Sequence, residues 1–229
     1  MPIMFFDWTM ILLIPALILT IYAQAKVSST YKKYSHVRAR SGIAACDMAR
    51  QMLDYNGLSN VKVEQVRGNL TDHYDPRTKV LRLSEATYHS TSVAALGVAA
   101  HEAGHAMQDK EAYAALKIRN ALVPIANIGS SASWILIILG IVFSTFNLIT
   151  IGIICFAAVV VFQLVTLPVE FNASNRALVA LEGGGFLEAD EVQQTNKVLR
   201  AAALTYVAAA LTAILQLLRL LILFGDRRE

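Results

Sequence analysis

Residues 120–169 form a run of 50 positions without a single Asp, Glu, Lys or Arg. A helix crosses the hydrocarbon core of a bilayer with about 20 apolar residues, so this run predicts two spanning helices joined by a tight turn. The turn is expected at Ser144-Thr145-Phe146-Asn147, with the first span starting near Pro124 and the second ending near Pro168. Gly129, Ser130, Ser131, Ala132 and Ser133 are small enough to let neighbouring helices approach closely. The composition agrees: 16% of residues are charged and mean hydropathy is +0.49, against about 25% charged in a typical soluble domain. A formal net charge of +3 gives no reason to expect a nucleic-acid partner.

Two more stretches have span character. Residues 8–25 are uncharged, and Asp7 is the one charge in residues 1–25. Ala23-Gln24-Ala25 resembles a signal-peptide cleavage site, but no Lys or Arg precedes the apolar core, so a retained anchor is the expectation. Residues 201–218 are also uncharged, and Arg219 is expected to snorkel from the end of that helix to the interface. Asp190 and Gln193 read as a capping-box start for this last helix, after the flexible Gly183-Gly184-Gly185.

Charge placement then orients the chain. Residues 26–120 hold 14 of the 20 Lys and Arg, and residues 169–200 hold three more. The positive-inside tendency puts both segments in the cytoplasm. The layout predicted is a first transmembrane helix in residues 1–25, a cytoplasmic region in 26–120, two spans in 121–168, a cytoplasmic helix and loop in 169–200, and a fourth span in 201–225. Arg227 and Arg228 fall on the opposite side, and the larger, earlier cluster decides. Cys46 lies in a polar segment and Cys155 in an apolar run, so they are not expected to pair, as suits a reducing compartment.

Within residues 26–120 the period changes twice. Residues 41–57 read as an amphipathic helix capped by Ser41, with an Ile43, Ala44, Met48, Met52, Leu53 stripe and an Asn56-Gly57 stop. Residues 61–66, 70–74 and 79–84 read as strands, separated by turns at Gly68-Asn69 and at Asp75-Pro76-Arg77-Thr78. The expected product is a small antiparallel sheet leading into an Ala-rich helix capped near Ser90 or Ser92. That helix carries His101-Glu102-Ala103-Gly104-His105. Two histidines four residues apart share one helix face, so both imidazoles reach one metal ion, and the intervening glutamate is placed to activate water. The sheet beside it offers an edge to which an extended peptide can add.

A catalytic zinc site usually takes three protein ligands. His36, His73 and His89 lie in polar segments where an exposed histidine is the default. Glu170, which follows Pro168 at the cytoplasmic end of the third span, is the better third ligand, because topology places it in the compartment of His101. The short motif alone recurs by chance in helices. Its weight comes from its flanks and from Glu170.

Across nearly its whole length the chain resembles the membrane-bound neutral zinc metallopeptidases, a bacterial family of membrane proteases. More distantly it is similar to the HtpX heat-shock protease and the integral-membrane CAAX prenyl proteases. The resemblance is carried by Asp72-His73-Tyr74-Asp75-Pro76-Arg77, by residues 92–108 and by Leu167-Pro168-Val169-Glu170-Phe171. It implies zinc on His101, His105 and Glu170, with Glu102 as the catalytic base. The wider group places a supporting Asp four residues after the third ligand. That position is Ser174 here, and Asn172, Asn175 and Arg176 are alternative supports.

The expectation is therefore a mainly α-helical multi-pass protein of the cell membrane, with about four transmembrane helices. Its small α+β zincin-like cytoplasmic domain contains the short antiparallel sheet and a Zn2+ site facing the cytoplasm. The expected activity is hydrolysis of peptide bonds in membrane-proximal or misfolded polypeptides, with the lipid bilayer as the other partner. Tyr74, His73, His89 and Arg176 are candidates to stabilise an oxyanion. Two alternatives stand beside this: a non-proteolytic scaffold with a structural zinc, and a zinc hydrolase of non-peptide amides.

Overall fold

The computed structural model describes residues 7–225; the two ends, Arg227 and Arg228 among them, lie outside the described residues. Helices long and apolar enough to cross a membrane occur at Trp8–Ser35, Ala114–Val142, Phe146–Gly183 and Ala189–Gly225. The first is a 3-10 turn, Trp8–Leu13, running into α1, Ile14–Ser35. Between it and the second lie α2 (Ala45–Tyr55), β1 (Lys62–Val66), β2 (His73–Asp75), β3 (Val80–Ser84), α3 (Glu85–Tyr88) and α4 (Val93–Lys110). The remaining long helices are α5 (Ala114–Val142), α6 (Phe146–Gly183) and α7 (Ala189–Gly225).

The described residues form two compact units. One consists of the described residues up to Gln24, of Ile118–Leu167 and of those from Leu204 onward. Its packing follows from small residues. A Cβ on Gly129 would stand 3.0 Å from the Cys155 carbonyl oxygen, and one on Gly152 2.9 Å from that of Ser133, so α5 and α6 lie backbone to backbone. Ile137, Ile149, Phe156, Val160, Leu220 and Phe224 fill the core. The α5–α6 turn falls at Phe143–Thr145, where Ser144 adopts φ 52° and Thr145 N–H donates to the Gly140 carbonyl at 2.8 Å. Pro124 and Pro168, expected at span ends, lie inside helices that run past them. Arg219 donates to Asp7 Oδ2 at 2.7 Å and to Thr9 Oγ1 at 3.1 Å. A lone apolar helix must carry an arginine to its end, whereas here an opposite charge offsets its desolvation.

The other unit consists of Ala25–Lys117 and Pro168–Ala203. α2 starts later than the Ser41 cap expected: Ala44 is its first flanking residue and no side chain caps it. The Asn56-Gly57 stop is present, with Gly57 at φ 64°, a left-handed conformation that glycine adopts without steric cost. Met48, Met52 and Leu53 on its apolar face are buried against Leu81, Leu83, Leu96 and Leu181. Each such side chain contributes about 2 kcal/mol by leaving water.

The sheet has the three strands expected but is mixed rather than antiparallel. Its order is β1-β3-β2; β2 pairs antiparallel with β3, while β1 pairs parallel with β3. Only the turn after β2 is tight enough for a hairpin, since Asp75 Oδ1 accepts from Arg77 N–H at 2.9 Å and Oδ2 from Thr78 Oγ1 at 2.7 Å. The six residues after β1 instead carry the chain past β3. That leaves β3, buried on both faces, in the middle. α7 also differs in its cap. Glu191, not Gln193, closes it, accepting from Glu188 N–H at 2.9 Å and from Arg40 N–H at 2.8 Å.

Candidate metal centre

α4 begins at Ser92, whose Oγ accepts from Ala95 N–H at 3.2 Å. Its Ala residues 94, 95, 99, 100, 103 and 106 are all buried, so this is the central helix of its unit and its backbone lies close to its neighbours. His101 and His105 project from one face, their rings 4.8 Å apart at 82°. The close approach of α6 is set by Gly104 between them: a Cβ there would lie 2.6 Å from the Ala173 carbonyl oxygen and 3.3 Å from its Cα. A side chain at position 104 is therefore incompatible with this crossing.

That crossing delivers Glu170, which is 2% exposed, to the two histidines. Its Oε2 lies 3.2 Å from His101 Nε2 and 3.7 Å from His105 Nε2. All three candidate ligand atoms fall within 4.8 Å of one another. Ligands about 2.1 Å from a tetrahedral zinc stand about 3.4 Å apart, so the separations suit the ion, as does the donor set of two imidazoles and one carboxylate. Cys46 is not part of the group.

Both outer ring nitrogens are engaged. His101 Nδ1 lies 3.1 Å from Ser174 Oγ, and His105 Nδ1 lies 3.0 Å from Gln108 Oε1. Nδ1 of each ring is thus satisfied by protein and Nε2 is left pointing at Glu170. Ser174 itself lies against His101, where Asn172, Asn175 or Arg176 was the expected substitute. Gln108 went unnoticed in the sequence, although its i,i+3 spacing from His105 is the signal. Burial works against the His105 imidazolium, yet hydrogen bonding to Glu170 and the charges of Glu102 and Glu170 outweigh it and raise the pKa.

Glu102 is held from the sheet. Its Oε2 accepts from the Tyr74 backbone N–H at 3.0 Å, which fixes the carboxylate through β2. The oxyanion candidates are committed elsewhere. Tyr74 Oη donates to Asp109 Oδ2 at 2.7 Å, and burial together with that carboxylate pushes its pKa up. His73 is exposed beside the Thr71 carbonyl, and His89 packs edge-on against Tyr88. Arg176 forms a bidentate pair with Glu111 at 2.7 Å and donates from Nε to Asn172 Oδ1 at 2.7 Å. His36 and Asn175 are exposed.

With this fold and this cluster, the chain belongs to the family described as "Putative neutral zinc metallopeptidase", whose model matches residues 9–225. It is 50% identical over 218 residues to the Bacillus subtilis (strain 168) protein named "Putative membrane protease YugP", covering 95% of this chain and 97% of that one. No solved structure matches the chain. Family membership implies zinc, and the relative's name and the four long apolar helices support a membrane location.

Proposed function

We propose that the chain is a zinc-dependent endopeptidase of the cell membrane that cleaves membrane-proximal or misfolded polypeptides. The observation that carries the reading is the convergence of His101 Nε2, His105 Nε2 and Glu170 Oε2 on one point beside Glu102. These three would hold the ion, which makes the site of the type with a glutamate third ligand. Zinc bound there supplies Lewis acidity toward a water and a scissile carbonyl. Glu102, anchored through Oε2 to Tyr74 N–H, keeps Oε1 to accept the water's proton and to pass it to the leaving amine. Hydrolysis breaks the C–N bond and forms a C–O bond: the water's oxygen goes to the acyl carbon and its two protons end on the leaving amine, giving a carboxylate and an ammonium at neutral pH.

Residues 26–120 and 169–200 form the cytoplasmic portion in this reading, supported by the 14 Lys and Arg of the first segment. Glu170 is the first charged residue after the 50-residue uncharged run and lies on the same helix, which ties the chemistry to membrane-proximal substrates. A structural zinc normally has four protein ligands; three side chains with a carboxylate alongside is the open, hydrolytic arrangement.

The test is Glu102→Gln in the purified full-length protein, assayed against an unfolded casein-like polypeptide. The expected result is unchanged zinc content with cleavage reduced at least a hundredfold. Cleavage at the wild-type rate would remove Glu102 as the base. Zinc content unaffected by Glu170→Ala would remove the third ligand.

A further inference from the structure

Gln108 is a fully buried polar residue on α4, and no part of the zinc motif requires it. A buried primary amide is costly unless each of its groups finds a partner. Here each does. Nε2 donates to the Val169 carbonyl at 2.8 Å and to Asn172 Oδ1 at 3.0 Å, and Oε1 faces His105 Nδ1 at 3.0 Å.

The direction of every proton in this chain follows from its far end. Arg176 has no acceptor, so its Nε–H donates to Asn172, which must present its oxygen. That oxygen and the Val169 carbonyl both accept, so Gln108 must turn its NH2 toward them and its oxygen toward His105. His105 must then donate from Nδ1, and the lone pair of the neutral ring lies on Nε2, the atom facing Glu170. Ser174 does not impose the same order on His101, because a hydroxyl both donates and accepts.

We propose that Gln108 is the positioning residue of the metal centre: it fixes the His105 tautomer and ties that ring to the α6 backbone one residue before Glu170. The proposal rests on the zinc reading above. Losing the amide would leave the other partners satisfied, since Val169, inside α6, keeps its helical partner and Asn172 keeps Arg176. The one group left without its partner is His105 Nδ1–H. Its proton is then free to move to Nε2, where it blocks coordination.

The experiment measures zinc affinity of the full-length detergent-solubilised protein by competition with a chromophoric chelator, and Tm of the metal-free form. Gln108→Met keeps the length and removes both hydrogen-bonding ends; the expected loss of affinity is about 10–100-fold. Gln108→Glu keeps the acceptor for His105 and loses the donor to α6, so it should bind zinc more tightly than Gln108→Met despite a lower metal-free Tm. A purely structural role predicts the reverse, because a buried carboxylate packs worse than a thioether. Affinity of Gln108→Met within twofold of wild type, or Gln108→Glu binding more weakly than Gln108→Met, overturns the proposal.

Wild type that takes up no zinc would refute the zinc reading, whereas zinc-binding wild type with an unaffected Gln108→Met refutes the role of Gln108 alone.

Discussion

The α4–α6 crossing makes a sharp demand on Gly104. In Gly104→Ala the new Cβ would meet the Ala173 carbonyl oxygen at 2.6 Å. An ordinary carbon–oxygen contact is about 3.3 Å, so the two backbones must part by about 0.7 Å. The obstacle is main chain, and no rotamer change relieves it. Glu170 and Ser174 ride on α6, so both withdraw from the histidines by a similar amount, several times the tolerance of about 0.2 Å expected of zinc-ligand distances. Overpacking of this kind costs about 1–3 kcal/mol, while alanine regains about 1 kcal/mol of helix propensity, leaving a net loss of at most about 2 kcal/mol. Metal affinity should therefore fall more visibly than stability, by at least about tenfold. Zinc affinity by chelator competition and Tm with and without zinc measure both. Gly97→Ala supplies the contrast: its Cβ would meet a Thr195 methyl at 2.7 Å, side chain rather than backbone, one turn before His101. It should lower Tm and leave zinc affinity within about twofold. If Gly104→Ala bound zinc as wild type does, the crossing would not be what sets the ligand geometry.

Tyr74→Phe tests the alkaline limit of the fold. The Tyr74 pKa is raised in the folded state, so its contribution is fully present below the unfolded value of about 10 and is lost as pH rises beyond it. The variant should have a lower Tm at neutral pH, through loss of the Asp109 bond, and a shallower fall of Tm above about pH 10 than wild type; equal slopes would refute the assignment. Asp7→Asn leaves Arg219, whose side chain is 11% exposed, without its charged partner, at a cost of about 2–3 kcal/mol after allowing for partial exposure. Adding Arg219→Leu should restore most of the thermal stability in detergent, and a double variant no better than the single one would show the pair to be uncoupled.

The parts of this molecule that are legible in sequence are those set by local periodicity. The 50-residue uncharged run specifies two long helices whatever the rest of the chain does, and four-residue spacing puts His101 and His105 together on any helix. Glu170 was reachable by one further step, because membrane topology limits which carboxylates share a compartment with His101. What sequence reading missed depends on partners distant in the chain. β1 is largely exposed, as an edge strand is, and nothing in Lys62-Val63-Glu64-Gln65-Val66 says whether its neighbour runs parallel. The Asp7–Arg219 pair joins residues 212 positions apart. Gln108 was visible as a letter, but its role exists only because Val169 and Asn172 arrive from α6.

Both supports of the proposed zinc site, Ser174 and Gln108, are uncharged. An aspartate beside the first histidine would add a buried negative charge next to Glu102 and Glu170, which already raise the His105 pKa. Ser174 orients His101 without adding that charge, and Gln108 orients His105 in the same neutral way. In the proposed zinc site, neutral supports would hold the rings in place and leave Glu170, 2% exposed, as the anionic ligand. The charge brought to the ion would then be −1 from the ligand set, with Glu102 alongside as a second carboxylate whose Oε2 is tied to β2. On electrostatic grounds a less negative ligand set leaves the ion a stronger Lewis acid toward water and carbonyl, which is the property hydrolysis needs.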